Sequence, residues 1–320
     1  MSHLLKKMPI SGIEAMQEAV AGSDVVATQL SPGGISGSII HTQLGAATLS
    51  TASTLGEFRA WGPLSQMDLT LGALLKTEGL NSQWAYQTKA GDIAVVPPCV
   101  EHNAHYGAST QWVTLALPLE DILERCVSLE LPITEAFWQE PAMYRPPPAI
   151  AGLIVERFKV GLLEIERLPK LLEVPNARKA LLDDLIQPLL LGFSIAAGDP
   201  IERDSKFTST TRMLRSVEEY LLDHTEKPVR LLEICQHLDT PERTLNRAFQ
   251  DVFGLSPGLY IRQWRLSRVR LMLTNPEDAG LTVTDAALRS GFWELGRFAQ
   301  QYRGLFGELP SETLKRNKRS

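Results

Sequence analysis

The chain has 320 residues, of which 44% are apolar and 22% are charged, and its formal net charge is −5 at pH 7. This length allows one large domain or two domains with a sizeable core, and it excludes a disulfide-stapled mini-protein. The composition excludes a disordered or collagen-like chain. Cys99, Cys126 and Cys235 are too far apart for a disulfide framework or a CxxC site. Because no apolar run reaches the roughly 20 residues of a membrane span, we expect a soluble cytoplasmic protein.

The charge is divided unevenly along the chain. Residues 207–320 carry 17 Lys and Arg against 14 Asp and Glu, whereas residues 1–206 carry 15 against 23. Positive residues of the second part cluster between Arg262 and Arg270 and between Lys315 and Arg319. Such clusters suit a polyanionic partner, but they are equally typical of solvated helix faces.

Short strands are predicted up to about residue 118. The runs are Val25–Leu30, Ser38–Leu44, Ala47–Ser53, Leu69–Leu75, Ile93–Val96 and Gln111–Leu117. They are apolar or β-branched and are separated by Gly, Pro, Asn and Ser. Strands at such short intervals, with no helical period between them, predict an antiparallel sandwich or small barrel.

The hydrophobic period becomes helical from about residue 133. Amphipathic helices are predicted at 150–166 and 176–197, the second kinked at Pro188. Their apolar faces need a partner surface, which either the sandwich or a second copy of the chain would supply. The polar residues 199–212 are predicted to be a linker.

Two helix-turn-helix units are predicted after this linker. In the first, Leu231–Leu238 and Pro241–Phe253 flank a turn at Asp239-Thr240. One face of the second helix carries four polar residues at i, i+3, i+4 and i+7, namely Arg243, Asn246, Arg247 and Gln250. Arg pairs with guanine, and Asn and Gln pair with adenine, in the major groove. The pattern therefore indicates a DNA-reading helix, although one such unit alone would be read as a solvated face.

The second unit repeats this order about fifty residues later. Thr282–Ser290 and Glu294–Phe306 flank the turn Gly291-Phe292, and the long helix Ser256–Leu273 connects the two units. The predicted inward face consists of Leu295, Phe298, Tyr302 and Phe306. The predicted outward face consists of Gly296, Arg297, Gln300 and Arg303. Two recognition helices on a rigid connector would enter successive major grooves about 34 Å apart.

Residues 213–317 resemble the DNA-binding domain of the AraC/XylS family of transcriptional regulators. The resemblance is carried by Leu245-Asn-Arg-Ala-Phe-Gln250, Gly254-Leu-Ser-Pro-Gly-Leu-Tyr260, Arg265-Leu-Ser-Arg-Val-Arg270, Thr282-Val-Thr-Asp-Ala-Ala287, Gly291-Phe-Trp-Glu-Leu-Gly-Arg-Phe298, Tyr302-Arg-Gly-Leu-Phe-Gly307 and Pro310-Ser311. It implies base readers at Arg243, Asn246, Arg247, Gly296, Arg297 and Gln300. It places phosphate contacts at Arg289 and Arg303.

The first turn departs from the family pattern at two positions. Asp239 stands where the family usually has Gly, and it tolerates a left-handed conformation less easily than Gly does. Pro241 stands where the family usually has a capping Ser, so Asp239 or Thr240 is expected to cap the helix. In the second unit Gly296 offers no side chain, which favours readout by DNA shape.

The first 200 residues resemble the cupin-like ligand-binding and dimerisation domain of many family members. Residues 90–98, which end near His102, are similar to a cupin strand motif. The candidate pocket residues are Trp61, Trp84, His102, His105 and Tyr106, with a role as core or surface residues as the alternative. Glu101, His102 and His105 are metal-ligand types, but no His-x-His precedes them and His41 stands alone. We therefore expect no metal and no cofactor.

These observations predict an α+β chain with four parts. They are a cupin-like effector domain (1–132), a helical dimerisation segment (133–198), a linker (199–212) and an all-α DNA-binding domain (213–317). The sequence predicts an effector-responsive transcriptional regulator, and an activator rather than a repressor. The predicted protein is a homodimer whose partners are double-stranded DNA, a small-molecule effector and RNA polymerase. The alternatives are a cupin-type enzyme fused to a DNA-binding domain and a methyl-accepting repair fusion. The cupin-type enzyme is disfavoured because a set of metal ligands is missing. The repair fusion is disfavoured because the three cysteines do not form a cluster.

Overall fold

The computed structural model describes residues 4–20, 23, 25–84, 86–198, 200–201, 205–225, 229–275 and 280–317. The chain divides into two compact units. The first unit consists of Met1–Ser11, Ala15–Val26 and Ser36–Glu202, and the second of Gly12–Glu14, Ala27–Ile35 and Arg203–Ser320. Part of the predicted linker (199 and 202–204) and the basic residues Lys318 and Arg319 lie outside the described residues.

Antiparallel strands form two sheets in the N-terminal region. The strands are β1 Leu5–Ile10, β2 Val26–Gln29, β3 Ser36–Leu44, β4 Ala47–Leu55, β5 Phe58–Pro63, β6 Leu69–Glu78, β7 Ser82–Gln83, β8 Tyr86–Gln87, β9 Ile93–Val96, β10 Glu101–Tyr106, β11 Ser109–Leu117 and β12 Ala142–Tyr144. One sheet has the order β1-β3-β4-β11-β6-β9-β12, and the other has the order β2-β5-β10-β7-β8. The predicted antiparallel β region is confirmed.

All six predicted strands are present, and several further strands were missed. The sequence of β10, Glu101-His-Asn-Ala-His-Tyr106, has no apolar alternation, although four of its six residues are buried. Strand β5 contains Gly62 and Pro63, which are typical of turns. Both strands are held by pairing with each other, from Glu101 opposite Pro63 to Tyr106 opposite Phe58. Such long-range pairing leaves no local signal in the sequence.

Two long helices follow the sheets, α2 at Pro148–Arg167 and α3 at Pro175–Ala196. Their buried residues share one hydrophobic cluster with the seven-stranded sheet, to which alternate residues of β11 contribute, as in Val113 and Leu115. Close packing of α2 on α3 depends on Gly161, because a Cβ atom there would lie 2.8 Å from a methyl carbon of Leu185. The two predicted helices are therefore present, and the sheet covers one apolar face of each.

Three details of the predicted helical segment need correction. Residues 133–147 are not a long helix, because they contain a 3₁₀ turn at Glu135–Trp138 and strand β12, which pairs with β9. A helix that was not predicted, α1 at Leu119–Ser128, precedes them. Leu185, in the middle of the predicted helix 176–197, is fully buried in the core, so this part of the predicted dimerisation segment does not contact a second copy.

The second unit is built from seven helices in its described residues. They are α4 Ser205–Asp223, α5 Leu231–His237, α6 Glu242–Phe253, α7 Pro257–Thr274, α8 Val283–Arg289, α9 Leu295–Phe306 and α10 Pro310–Asn317. Helix α4 begins at Ser205, so the predicted linker 199–212 includes its first eight residues. A core cluster joins α4, α6 and α7 through Val217, Phe249 and Trp264.

The first helix-turn-helix turn adopts a left-handed conformation at Asp239, where φ is +45°. Helix α6 begins at Glu242, and Pro241 occupies the N-cap position without a side-chain cap. The expected cap by Asp239 or Thr240 is therefore wrong, and the Thr240 hydroxyl instead donates to the Leu238 carbonyl oxygen at 2.9 Å. Helix α8 has a full capping box between Thr282 and Asp285.

Residues 27–35 are an integral part of the second unit. Leu30 is buried in the same cluster as Val217 and Phe249. The Gln29 amide donates to the Leu305 carbonyl oxygen at 2.6 Å, and the Gln263 amide donates to the Leu30 carbonyl oxygen at 2.9 Å. These hydrogen bonds provide partners for buried polar groups of the helical domain. In a domain made only of residues 213–317, the same groups would lack these partners.

Candidate functional site

Helix α6 presents a polar face that matches the sequence prediction. Arg243, Arg247 and Gln250 are exposed, whereas Leu245 and Phe249 on the opposite face are buried. Asn246 is half-buried, and its amide donates to the Glu242 carbonyl oxygen of its own helix at 3.0 Å. Three of the four predicted base readers therefore project into solvent, and Asn246 would have to release its helix carbonyl to reach a base.

Helix α9 presents the second predicted face. Gly296, Arg297, Gln300 and Arg303 are all exposed, as is Arg289 at the end of α8. The expectation that Leu295 faces inward is wrong, because 41% of it is exposed. It is the first residue of α9, so its side chain has no preceding turn of the helix to pack over.

A cleft of about 350 Å³ lies between the start of α7 and the turn before α9. Arg262, Arg265 and Arg297 line it, together with Trp293. Arg262 and Arg297 are exposed, whereas the Arg265 guanidinium donates to the Val229 carbonyl oxygen. Burial lowers the pKa of Arg265.

The other arginines of α7 are not free surface charges. The guanidinium of Arg268 lies 5.2 Å from the Trp264 ring centroid, and burial lowers its pKa. Arg270 is 2% exposed and is bound by carboxylates. The predicted basic stretch Arg262–Arg270 therefore contributes chiefly Arg262 to the exposed surface.

Two exposed arginines of the recognition helices form ion pairs with nearby carboxylates. Arg247 lies 3.8 Å from Asp251, and Arg297 lies 3.9 Å from Glu294. Exposed pairs of this kind on one helix contribute about 0.3–0.5 kcal/mol. This small contribution would not prevent either guanidinium from moving to a base or a phosphate.

A cavity lies inside the first unit and is lined by residues of both sheets. Two of the predicted pocket residues, His102 and Tyr106, line it, together with Phe58 and Trp112. Trp61, Trp84 and His105 do not. Side chains alternate along a strand, so β10 directs His102, Ala104 and Tyr106 to the cavity and His105 to the other face.

The His102 ring is neutral in this environment. Its Nε2 atom lies 2.9 Å from the Tyr106 hydroxyl oxygen. Burial, assisted by the positive charge of Arg59, lowers the pKa of His102 from 6.5 to about 3. Burial also raises the pKa of Tyr106 well above its usual value. Neither side chain carries charge at neutral pH.

Acid is expected to destabilise the first unit through His102. Since the pKa is lower in the folded state, the unfolded chain takes up the proton first as the pH falls below 6.5. Stability is then lost down to the folded pKa of about 3, at up to about 1.4 kcal/mol per pH unit. Urea unfolding of the full chain between pH 7 and pH 4.5 measures this slope, and His102→Gln is expected to flatten it. An unchanged slope in His102→Gln would assign the acid sensitivity to other groups.

Comparison with known proteins identifies the type of domain formed by residues 234–316 of the second unit. A family model described as a helix-turn-helix domain matches residues 234–316. The XylDLEGF operon transcriptional activator 3 of Pseudomonas putida is 36% identical over 102 residues, which are 32% of this chain and 31% of that protein. The XylDLEGF operon transcriptional activator 2 of the same species is also 36% identical over 102 residues, 65% of its length. Residues 234–316 form an AraC/XylS-type DNA-binding domain.

A solved structure, of a probable AraC family transcriptional regulator from Rhodopseudomonas palustris CGA009, is 37% identical to this chain. The match covers 33% of this chain and 97% of the other chain, with a TM-score of 0.30. This chain spans about a third of the length of several of the curated relatives that it matches.

Trp293 and Leu295 are two surface residues of the AraC/XylS-type domain that sequence reasoning missed as candidates. Trp293 is 70% exposed, and it precedes α9 on the same side of the domain as Arg297. Apolar side chains contact thymine methyl groups in the major groove. The signal in the sequence is the position of Trp293, between the predicted turn Gly291-Phe292 and the predicted recognition helix.

Metal-binding and membrane-spanning features are both absent from the described residues. These residues contain no cluster of three or more His, Cys, Asp or Glu side chains arranged to hold a metal ion. In the same part of the chain, no helix has the length and apolarity needed to cross a bilayer.

Proposed function

We propose that this protein is a sequence-specific transcriptional regulator that reads two successive major grooves of DNA with α6 and α9. The observation that carries the proposal is the pair of amphipathic helices whose outer faces expose Arg243, Arg247, Arg297 and Gln300. Helix α7 joins them within one AraC/XylS-type domain. Arg289 and Arg303 supply the phosphate contacts that fix the register of the domain on the duplex.

The same proposal includes activation and the cellular setting. Two of the relatives are named as operon transcriptional activators, which supports activation. The proposal adds that the protein works with RNA polymerase in the cytoplasm. In this proposal the protein has no catalytic role. Its first unit is an effector domain, because its interior cavity places His102 and Tyr106 among apolar walls.

A homodimer formed through α2 and α3 is the remaining part of the proposal. These helices leave large apolar side chains exposed, namely Leu153, Val160, Leu163, Leu191 and Ile195. A dimer would bury this surface and double the length of the DNA site. The double variant Leu191→Asp, Ile195→Asp, four residues apart on one face of α3, is expected to sediment as a monomer at micromolar concentration. Leu55→Asp, at a leucine 57% exposed in β4, is the control and is expected to remain dimeric. A dimer that survives the double change would place the interface elsewhere.

Selection from genomic DNA tests the proposed function. The purified full chain is incubated with fragmented genomic DNA from the source organism, and the retained fragments are sequenced. One or a few promoter regions that share a repeated half-site would support the proposal. Retention of fragments without any shared sequence would contradict it, because non-specific binding needs only phosphate contacts.

A further inference from the structure

Trp293 is an exposed aromatic residue to which the fold of the second unit gives no evident role. It is 70% exposed and directly precedes Glu294, the N-cap of α9. An apolar residue at this position often packs on the fourth residue of the helix, which is Phe298 here. In this protein Phe292 occupies that place, since its ring centroid lies 5.0 Å from that of Phe298. Packing within the second unit therefore does not explain a tryptophan at this position.

The first two residues of α9 extend this surface. Leu295 is 41% exposed. Gly296 is exposed, and a Cβ atom added to it would meet no heavy atom within 4 Å apart from its chain neighbours and the adjacent helix backbone. Packing therefore does not require glycine here, although glycine destabilises a helix relative to alanine. The missing side chain does allow the backbone at the start of α9 to come close to another molecule.

The charges around Trp293 favour a polyanionic partner over an apolar protein surface. Arg262, Arg265 and Arg297 line the same cleft as Trp293. The side chains of Arg262 and Arg297 are exposed. Glu294 is the one carboxylate among the described residues that line the cleft, and it lies 3.9 Å from Arg297. A surface with an excess of positive charge attracts the phosphates of a DNA duplex.

Thymine is the base whose major-groove edge suits an apolar side chain. Its C5 methyl group is apolar, whereas the other bases present hydrogen-bond donors and acceptors on that edge. An apolar contact with those donors and acceptors would remove them from water without a partner, which is unfavourable. The N-terminal residues of a recognition helix are the ones that reach base edges. Trp293 and Leu295 lie at that end of α9.

We propose that Trp293 contacts the C5 methyl group of a thymine in the major groove that α9 enters. The inference rests on the proposed function and adds a specificity-determining residue to it. Arg297 and Gln300 read hydrogen-bonding groups along α9, whereas Trp293 reads an apolar group at its start. Leu295 extends the apolar surface beside Trp293, and Gly296 allows the helix to approach the bases closely.

Replacement of thymine by uracil isolates the methyl group, because uracil keeps the base pair and the O4 acceptor and lacks only that group. Each thymine in the promoter segment that α9 protects is replaced singly by deoxyuridine. That segment is the one whose protection in hydroxyl-radical footprinting is weakened by Arg297→Ala, Gln300→Ala. Fluorescence anisotropy with the full-length protein at one salt concentration measures Kd. At least one replacement is expected to raise Kd about fourfold, as loss of one buried methyl group does.

Three variants assign this loss of affinity to Trp293. Trp293→Ala is expected to abolish most of the difference between the thymine and uracil duplexes, because it lacks the contact with the methyl group. Trp293→Phe keeps an aromatic ring and is expected to retain part of the difference. Leu55→Ala, at a leucine of the first unit that is 57% exposed, is the control and is expected to retain all of it. Far-UV circular dichroism and Tm establish that each variant is folded.

Three results would overturn the inference. They are a selected segment that contains no thymine, uracil replacements that all leave Kd unchanged, and a uracil effect that persists undiminished in Trp293→Ala. Each of these results is obtained with a protein that still selects promoters, so it would refute the thymine contact and leave the proposed regulator in place. Retention of DNA without any shared sequence would refute the regulator, and the thymine contact with it.

Discussion

Replacing Arg243 and Arg247 together by Ala is expected to weaken binding to the selected DNA site by about 2–6 kcal/mol, since each bidentate Arg–guanine pair contributes about 1–3 kcal/mol of discrimination. Both side chains are exposed on the outer face of α6. Their removal leaves Leu245 and Phe249 and the core contacts of the helix in place. Affinity for a scrambled site is expected to change much less. Fluorescence anisotropy with both duplexes at one fixed salt concentration measures the difference.

Two matched variants separate base reading from charge. Arg157→Ala removes one positive charge from α2 of the first unit, where Arg157 is paired with Asp184 at 3.2 Å, and it is expected to leave DNA affinity unchanged. Arg303→Ala removes a proposed phosphate contact, so it is expected to weaken selected and scrambled sites alike. It should also reduce the slope of log K against log salt by about 1. Equal affinities of the Arg243→Ala, Arg247→Ala protein and the unaltered protein would show that α6 is not a reading helix.

Replacing Arg270 by Met is expected to lower the free energy of unfolding of the second unit by about 3 kcal/mol. Arg270 is 2% exposed, and its guanidinium donates to Glu14 at 2.5 Å and to Glu308 at 2.8 Å. Burial alone would lower the pKa of Arg270, but the two carboxylates outweigh that effect and raise it. Met fills most of the same volume beside Phe306, so the loss reports the carboxylates left without their buried partner.

Arg316→Met is the matched control for this change. The Arg316 guanidinium contacts the same two carboxylates, Glu14 at 3.6 Å and Glu308 at 2.6 Å, but its side chain is 45% exposed. Exposed pairs contribute about 0–1 kcal/mol, so we expect a loss in that range. Chemical denaturation followed by circular dichroism measures both variants. Equal losses for Arg270→Met and Arg316→Met would refute the role of burial.

The same cluster makes the second unit sensitive to strong acid. Burial acts to raise the pKa of Glu308, but hydrogen bonds from Arg316 and Thr313 and the charge of Arg270 lower it overall. A carboxyl whose pKa is lower in the folded state contributes its full stabilisation above the unfolded value of about 4.5. That stabilisation is lost as the pH falls through the folded value. The contribution of Glu308 is therefore expected to decline as the pH falls below 4.5 and to be lost once the pH is below the folded pKa.

Patterns with a local period were predictable from the sequence. Helices α6, α7 and α9 follow from apolar residues at three- and four-residue steps, and each predicted bound lies within one residue of the observed one. The DNA-facing sides of these helices were predictable from the same period. Because Leu245 and Phe249 face the core, the residues on the opposite side of α6 face solvent. Most of the exposed surface of the DNA-binding domain is therefore encoded locally, in the spacing of its apolar and polar residues.

Features that depend on distant residues were not predictable. Arg270 looked like part of a basic patch, because its partner Glu14 lies 256 positions away and no residue near Arg270 in the sequence indicates the pairing. Leu30 was read only as part of a strand, whereas it contributes to the core of the second unit. The cavity was only partly foreseen, since Trp112 enters it through pairing with β6 and a register shift that no short motif encodes.

Hydroxyl-radical footprinting of the full-length protein on its selected promoter tests the central claim most directly. In each half-site of the proposed dimer, helices α6 and α9, joined by α7, are expected to protect two segments on one face of the duplex, about one helical turn or 10–10.5 base pairs apart. Arg243→Ala, Arg247→Ala is expected to erase one segment, and Arg297→Ala, Gln300→Ala to weaken the other. A single protected segment, or one that both double variants reduce equally, would contradict readout by two recognition helices.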